Sequence, residues 1–112
     1  MEAQPRELVL YVTDQGNCPF ETWLSGLRDR QARIRIRKRL DRVEMGNLGD
    51  YKSVGSGVFE LRIDYGPGYR VYFAESATTI VLLLCGGDKS TQDRDILVAK
   101  QYWSDFQANA ND

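Results

Sequence analysis

The chain reads as an α+β domain. Its expected architecture is a small antiparallel sheet of about four strands, an N-terminal helical hairpin and a C-terminal helix, in the order β-α-α-β-β-β-α. Three observations carry this. Phe59 to Phe73 alternates with a period of two on both sides of Gly66-Pro67-Gly68, and Ile80 to Cys85 is apolar at every residue. Apolar stripes of helical period stand on either side of that block. At 112 residues the chain is long enough for one domain, residues 1–112, with one modest core.

Leu8 to Thr13 is β-rich and predicts the opening strand, and Asp14 to Asn17 a turn. Pro19 suits the first position of a helix, where its missing N–H costs nothing. Phe20, Trp23, Leu24 and Leu27 then form one apolar stripe, and this helix is expected to end near Asp29 to Gln31. A second helix carries Ala32, Ile36, Leu40 and Val43 on one face. The short link between the two predicts an antiparallel hairpin, with Gly46 as the C-terminal cap. Gly46 to Asp50 reads as a turn, and Tyr51 to Gly57 as a loop or a short strand.

From Phe59 onward, Phe59, Leu61, Ile63 and Tyr65 point one way, and Glu60, Arg62 and Asp64 the other. After the Gly66-Pro67-Gly68 turn, Tyr69, Val71 and Phe73 alternate with Arg70 and Tyr72. The run Ile80 to Cys85 predicts a central strand covered on both faces. Gly86-Gly87 follows, and the glycines of both pairs supply positive-φ turns or close approach. Ser90-Thr-Gln-Asp93 predicts a capping box. Ile96, Ala99, Trp103 and Phe106 form the core stripe of a last helix, and Gln107 to Asp112 a frayed polar tail.

Hydrophobic residues make up 42% and charged residues 28%, a balance that argues against disorder. The longest apolar run is too short to span a bilayer, and no secretory leader is read at the N-terminus, so a cytoplasmic location is expected. Cys18 and Cys85 show no metal spacing and read as reduced thiols. Net charge is −1, but it is unevenly spread. Arg28 to Arg42 holds eight basic residues against two acidic ones, +6, so the remainder carries −7. This allows a basic face for RNA or for an acidic partner; the plain alternative is a solvated helix face. Arg35, Lys38, Arg39 and Arg42, with Lys52 beyond them, are the candidates for RNA contact.

The chain has no histidine, so acid–base work falls to Lys, Glu, Asp or Tyr. The hairpin layout puts Arg62, Arg70, Tyr72 and Lys89 within reach of one another on one side of the sheet. A cationic pocket with a phenol suits phosphate, and so RNA. Arg62 is predicted beside Arg70 on the neighbouring strand, within reach of one phosphate. Glu60 and Asp64 would form an ion-pair ladder with them in the plain version. Tyr72 either stacks on a base or packs on a helix.

Four stretches carry a family resemblance: W-L-S-G-L-R-D (Trp23 to Asp29), R-L-D-R-V-E-M-G-N-L-G-D (Arg39 to Asp50), V-G-S-G-V-F-E-L-R-I-D-Y-G-P-G-Y-R-V-Y-F (Val54 to Phe73) and L-L-C-G-G-D-K-S-T-Q-D-R-D-I (Leu83 to Ile96). They run from Trp23 to Ile96, about two-thirds of the chain. The chain resembles RelE/ParE/HigB-superfamily toxins of bacterial type II toxin–antitoxin modules, above all the phage-derived Gp49-like, or addiction module killer protein, branch.

The resemblance implies a ribosome-dependent endoribonuclease that cuts mRNA without metal or organic cofactor. It also implies a cognate antitoxin, usually of helix-turn-helix type, as partner. Arg70 matches the family arginine of the G-Y-R strand and would grip the scissile phosphate. Lys89 stands where relatives place Arg or Lys at the sheet's end. Glu60 departs from relatives that have lysine nearby; it is either the base for the 2′-OH or a salt-bridge partner of the arginines. Relatives carry a Tyr or His in the last helix, a place that here falls near Asp93 to Asp95, so Asp95 is the second candidate base. ParE-like members share the fold but poison DNA gyrase, and a relative without toxicity would be a binding module only.

Overall fold

The computed structural model describes residues 4–110. Its elements are β1 (Glu7–Leu10), α1 (Pro19–Gly26), α2 (Arg30–Glu44), β2 (Tyr51–Gly55), β3 (Val58–Ile63), β4 (Tyr69–Ala77), β5 (Ile80–Asp88), a 3-10 turn (Lys89–Thr91) and α3 (Gln92–Ala110). The class is α+β, as expected, but the sheet has five strands and is mixed. Its order is β1-β5-β4-β3-β2. β2 to β5 form an antiparallel meander, while β1 runs parallel to β5, with Glu7 opposite Ile80 and Leu10 opposite Leu83. The expected all-antiparallel sheet fails at this edge, because α1 and α2 return the chain to the far side of the sheet before β2 begins. Tyr51–Gly55, read as loop or strand, is the other edge.

The first strand is shorter than expected, since Thr13 accepts from Gly16 and donates to Asn17 to form the turn. α1 also stops early, at Gly26. The residues expected to end it instead start the next helix. Asp29 caps α2, its carboxylate accepting from the amides of Gln31 and Ala32 at 2.9 and 3.2 Å. Gly46 closes α2 with φ +93°, its amide donating to the Val43 carbonyl.

Helices cover both faces of the sheet. Phe20 and Leu24 of α1 and Ala32, Ile36, Leu40 and Val43 of α2 pack on Leu61, Ile63, Val71, Phe73, Val81 and Leu83. On the opposite face Ala99, Ile96, Trp103 and Phe106 of α3 pack against Val58, Tyr72, Ala74, Leu82, Leu84 and Cys85. The all-apolar β5 is therefore central, as its composition predicted.

A β-bulge lies in β5: Cys85 is opposite Tyr72 and Leu83 opposite Phe73, which leaves Leu84 as the extra residue. Beyond it the facing of β5 is reset. Gly86 lies under the Trp23 ring, and Gly87 lies under the Asp95 carboxylate. A Cβ on Gly86 would stand 2.2 Å from the indole. Gly86→Ala is expected to cost about 1–3 kcal/mol by overpacking, read as a lower urea midpoint with an unchanged slope.

The helix cap also differs from expectation. Asp88 rather than Ser90 opens the last helical segment, accepting from the Ser90 amide at 2.8 Å while its own amide donates to Thr91 Oγ1. The Ser90 hydroxyl, then the amides, hold the Asp88 carboxyl below its ordinary pKa. α3 continues through the expected tail to Ala110; the remainder of that tail lies outside the described residues. Among the described residues no helix is long and apolar enough to cross a membrane.

Candidate functional site

The site lies at the end of the sheet where β3, the β3–β4 turn, β4 and the start of the α3 segment meet. Arg62 and Arg70 are register partners on adjacent strands, and Gly87 is the next residue in the same row. Gly68 draws a third cation in. It has φ +82°, and a Cβ there would touch Arg70 Nη1 at 3.4 Å and Lys89 Cβ at 3.5 Å. The bare turn thus sits between the two side chains. Arg62, Arg70 and Lys89, with Asp50, Asp64 and the Gly66-Pro67-Gly68 turn, line one open concavity of about 360 Å³.

Beneath this row lies Glu60. It is fully buried, although the alternation placed it on the polar face of β3. That face is covered by α3, so the parity of the sequence reading holds but the solvent exposure does not. Glu60 Oε1 faces Arg62 Nε at 3.3 Å and Arg70 Nε at 3.7 Å. Glu60 Oε2 accepts from the Tyr72 hydroxyl at 3.3 Å and from Gln92 Nε2 at 2.6 Å. Of the two readings of Glu60, this is the salt-bridge partner; a carboxylate with no exposed surface does not meet a 2′-OH. Tyr72 is equally buried, so it packs against α3 and offers no ring face to a base. Burial, then Glu60, raises its pKa.

Asp95 stands over Gly87 and accepts from the Thr91 hydroxyl. Its side chain is 14% exposed. Gly87 is the partner of Arg70, so this carboxylate lies about one strand spacing from the arginine row.

A second concavity of about 390 Å³ shares Asp64 with the first and runs along α2, lined by Arg35, Lys38, Arg39 and Arg42 among others. These cations are not equivalent. Arg39 donates to the carbonyls of Arg62, Leu48 and Asp50 at 2.5–2.9 Å, which clamps α2 to β3 and the β2 approach. Its guanidinium is committed to the fold. Arg35 lies 4.5 Å from the centroid of the Tyr65 ring, and the Tyr65 hydroxyl donates to Asp29. Lys38 and Arg42 are exposed. Lys52 is exposed on edge strand β2, in register with Glu60.

Sequence reasoning missed Gln92. It opens α3, and its partner Glu60 is far away in the chain. The available signal was indirect: a glutamate between arginines on a covered face needs further donors.

Cys85 lies on the α3 side of the same row as Tyr72, and burial, then Asp95, pushes its thiol up to about 12. The folded state therefore keeps the proton after the unfolded chain has lost it. This stability is complete below the ordinary thiol pKa of 9.0 and is lost as pH rises from there towards about 12. Cys85→Ala is expected to flatten the alkaline fall in urea stability by up to about 1.4 kcal/mol per pH unit in that window.

No protein-family model matches the chain. An uncharacterized protein of Haemophilus influenzae (strain ATCC 51907 / DSM 11121 / KW20 / Rd) is 56% identical over 81 residues, which cover 72% of this chain and 82% of that protein. At that identity and coverage the two share one fold and one ancestry: the chain belongs to the same family as this Haemophilus protein.

Proposed function

We propose that the protein is the toxin of a type II toxin–antitoxin module, acting in the cytoplasm as a ribosome-dependent mRNA endoribonuclease. The observation that carries this is the row Arg62–Arg70 with Lys89 around one concavity, on the G-P-G-Y-R-V-Y-F hairpin that carries the family resemblance. Three cations converge there on a space suited to a phosphodiester, and charged guanidinium groups bind phosphate oxygens in pairs.

In this mechanism the 2′-OH attacks the adjacent phosphorus and the 5′ oxygen leaves, giving a 2′,3′-cyclic phosphate and a 5′-OH. Arg70 and Arg62 stabilise charge on the non-bridging oxygens, and Lys89 neutralises the leaving 5′ oxygen, which takes up a proton from solvent. Asp95, over Gly87 and partly exposed, takes the 2′-OH proton, since Glu60 is enclosed. No histidine assists, so alignment by the ribosome supplies much of the rate, on the order of 7–11 kcal/mol. Lys38, Arg42 and Arg35 extend the cationic surface towards flanking RNA, and Lys52 adds one charge at the sheet edge. The partner that restrains the protein is an antitoxin of helix-turn-helix type.

The test is expression without antitoxin, with mRNA 5′ ends mapped in translating cells. Growth arrest with codon-phased cuts supports the reading. Arrest with intact mRNA and inhibited supercoiling would assign a gyrase poison, and normal growth a binding module.

A further inference from the structure

We propose that Gln92 is a positioning residue that sets the orientation of both arginines through Glu60. The inference rests on the reading of Arg62 and Arg70 as the phosphate grip. The two oxygens of Glu60 have separate partners. Oε2 is held from the helix side by Gln92 Nε2 at 2.6 Å and by the Tyr72 hydroxyl at 3.3 Å. Oε1 is left facing Arg62 Nε at 3.3 Å and Arg70 Nε at 3.7 Å. A carboxylate free to rotate would exchange its oxygens between these roles. Two donors on one oxygen stop that rotation and keep the other aimed at the arginines.

The mode of contact matters. Each guanidinium meets Glu60 through Nε, which leaves its terminal nitrogens for other acceptors. Arg70 Nη1 donates to the Tyr69 carbonyl at 3.1 Å, which holds the fork from a second side. Arg70 Nε is buried and makes no hydrogen bond, so Glu60 steadies this arginine by charge rather than by a closed bond. Drift of the carboxylate would loosen both arginines, since each faces the same oxygen.

Gln92 also sits directly after the Lys89–Thr91 turn, as the first residue of α3. Its bond to Glu60 therefore ties the segment bearing Lys89 to the strand bearing Arg62. One side-chain amide links all three cations. Gln92 is a half-buried residue whose aliphatic part needs no change if the amide is replaced by a thioether, so Gln92→Met removes the donor at nearly constant length.

The experiment uses the purified full chain with inorganic phosphate as probe and follows the arginine Nε–H signals by ¹⁵N NMR. In the wild type the Arg62 and Arg70 signals are expected to be ordered and to shift saturably with phosphate. In Gln92→Met the same signals are expected to lose order, and phosphate affinity to fall about tenfold, with Tm within a few degrees of the wild type. Tyr72→Phe, which removes the other donor, serves as an independent second variant and is expected to give a smaller effect in the same direction. Unchanged Nε order and phosphate affinity in the folded variants would overturn the proposal. Mapping of mRNA ends separates the two readings. Cuts by the wild type that persist undiminished in Gln92→Met would sink the positioning role alone. Loss of Nε order in Gln92→Met, with no cuts by the wild type, would leave positioning intact and remove the nuclease.

Discussion

Arg70→Ala is expected to lower mRNA cleavage in translating cells by about 10²–10³-fold, the usual loss when one donor to a developing anion is removed. Arg70 is the central cation of the row, flanked by Arg62 on one strand and by Gly87, under Asp95, on the other. Its side chain is 12% exposed, so its charge acts with little screening. Arg70→Lys keeps the charge but loses the planar fork, and an intermediate rate is expected. A matched Tm would show that loss of cleavage is not loss of fold. Full toxicity from a folded Arg70→Ala protein would contradict the assignment.

Glu60→Ala is expected to destabilise the protein by about 3–5 kcal/mol, measured by urea unfolding. The carboxylate is the shared acceptor for Tyr72, Gln92 and Arg62, and the nearest counter-charge to Arg70. Removing it strands the buried Tyr72 hydroxyl and the half-buried Gln92 amide on the α3 face of the sheet and leaves two arginines facing each other across adjacent strands. Glu60→Gln still offers one acceptor oxygen and should cost less, though its amide then points at the guanidinium groups. A Glu60→Ala protein within about 1 kcal/mol of the wild type would mean that water satisfies the row, because a surface pair is worth no more than that.

The contrast between these two residues shows what the sequence could and could not reveal. Arg70 was legible: alternation around Gly66-Pro67-Gly68 sets its face and its partner, and both are local. The stripes of α1, α2 and α3 and the buried β5 were legible for the same reason. Glu60 was assigned to the correct face, but its burial depends on α3, which lies far along the chain and whose packing alternation does not encode. The parallel pairing of β1 was hidden likewise, since nothing in Leu8 to Thr13 names Val81 as a neighbour. Tyr51–Gly55 was ambiguous because its residues are mostly exposed and end in a glycine bulge against β3, so no clear apolar alternation marks it. Arg39 looked like its basic neighbours; only the carbonyls of Leu48, Asp50 and Arg62 make it a clamp.

The pairing of β1 with β5 has a consequence for how the chain acquires its fold. β1 has no sheet partner until Ile80–Leu83 has been made, whereas β3, β4 and β5 can form a meander among near neighbours. Closing so long a loop is entropically slower than closing the hairpins, so the meander is the natural nucleus and the β1 edge a late addition. The cationic concavity depends on Lys89, and the buried carboxylate on Gln92. Until the α3 segment has formed, Arg62 and Arg70 stand without Lys89 beside them and without the Gln92 bond to Glu60, so the concavity is incomplete.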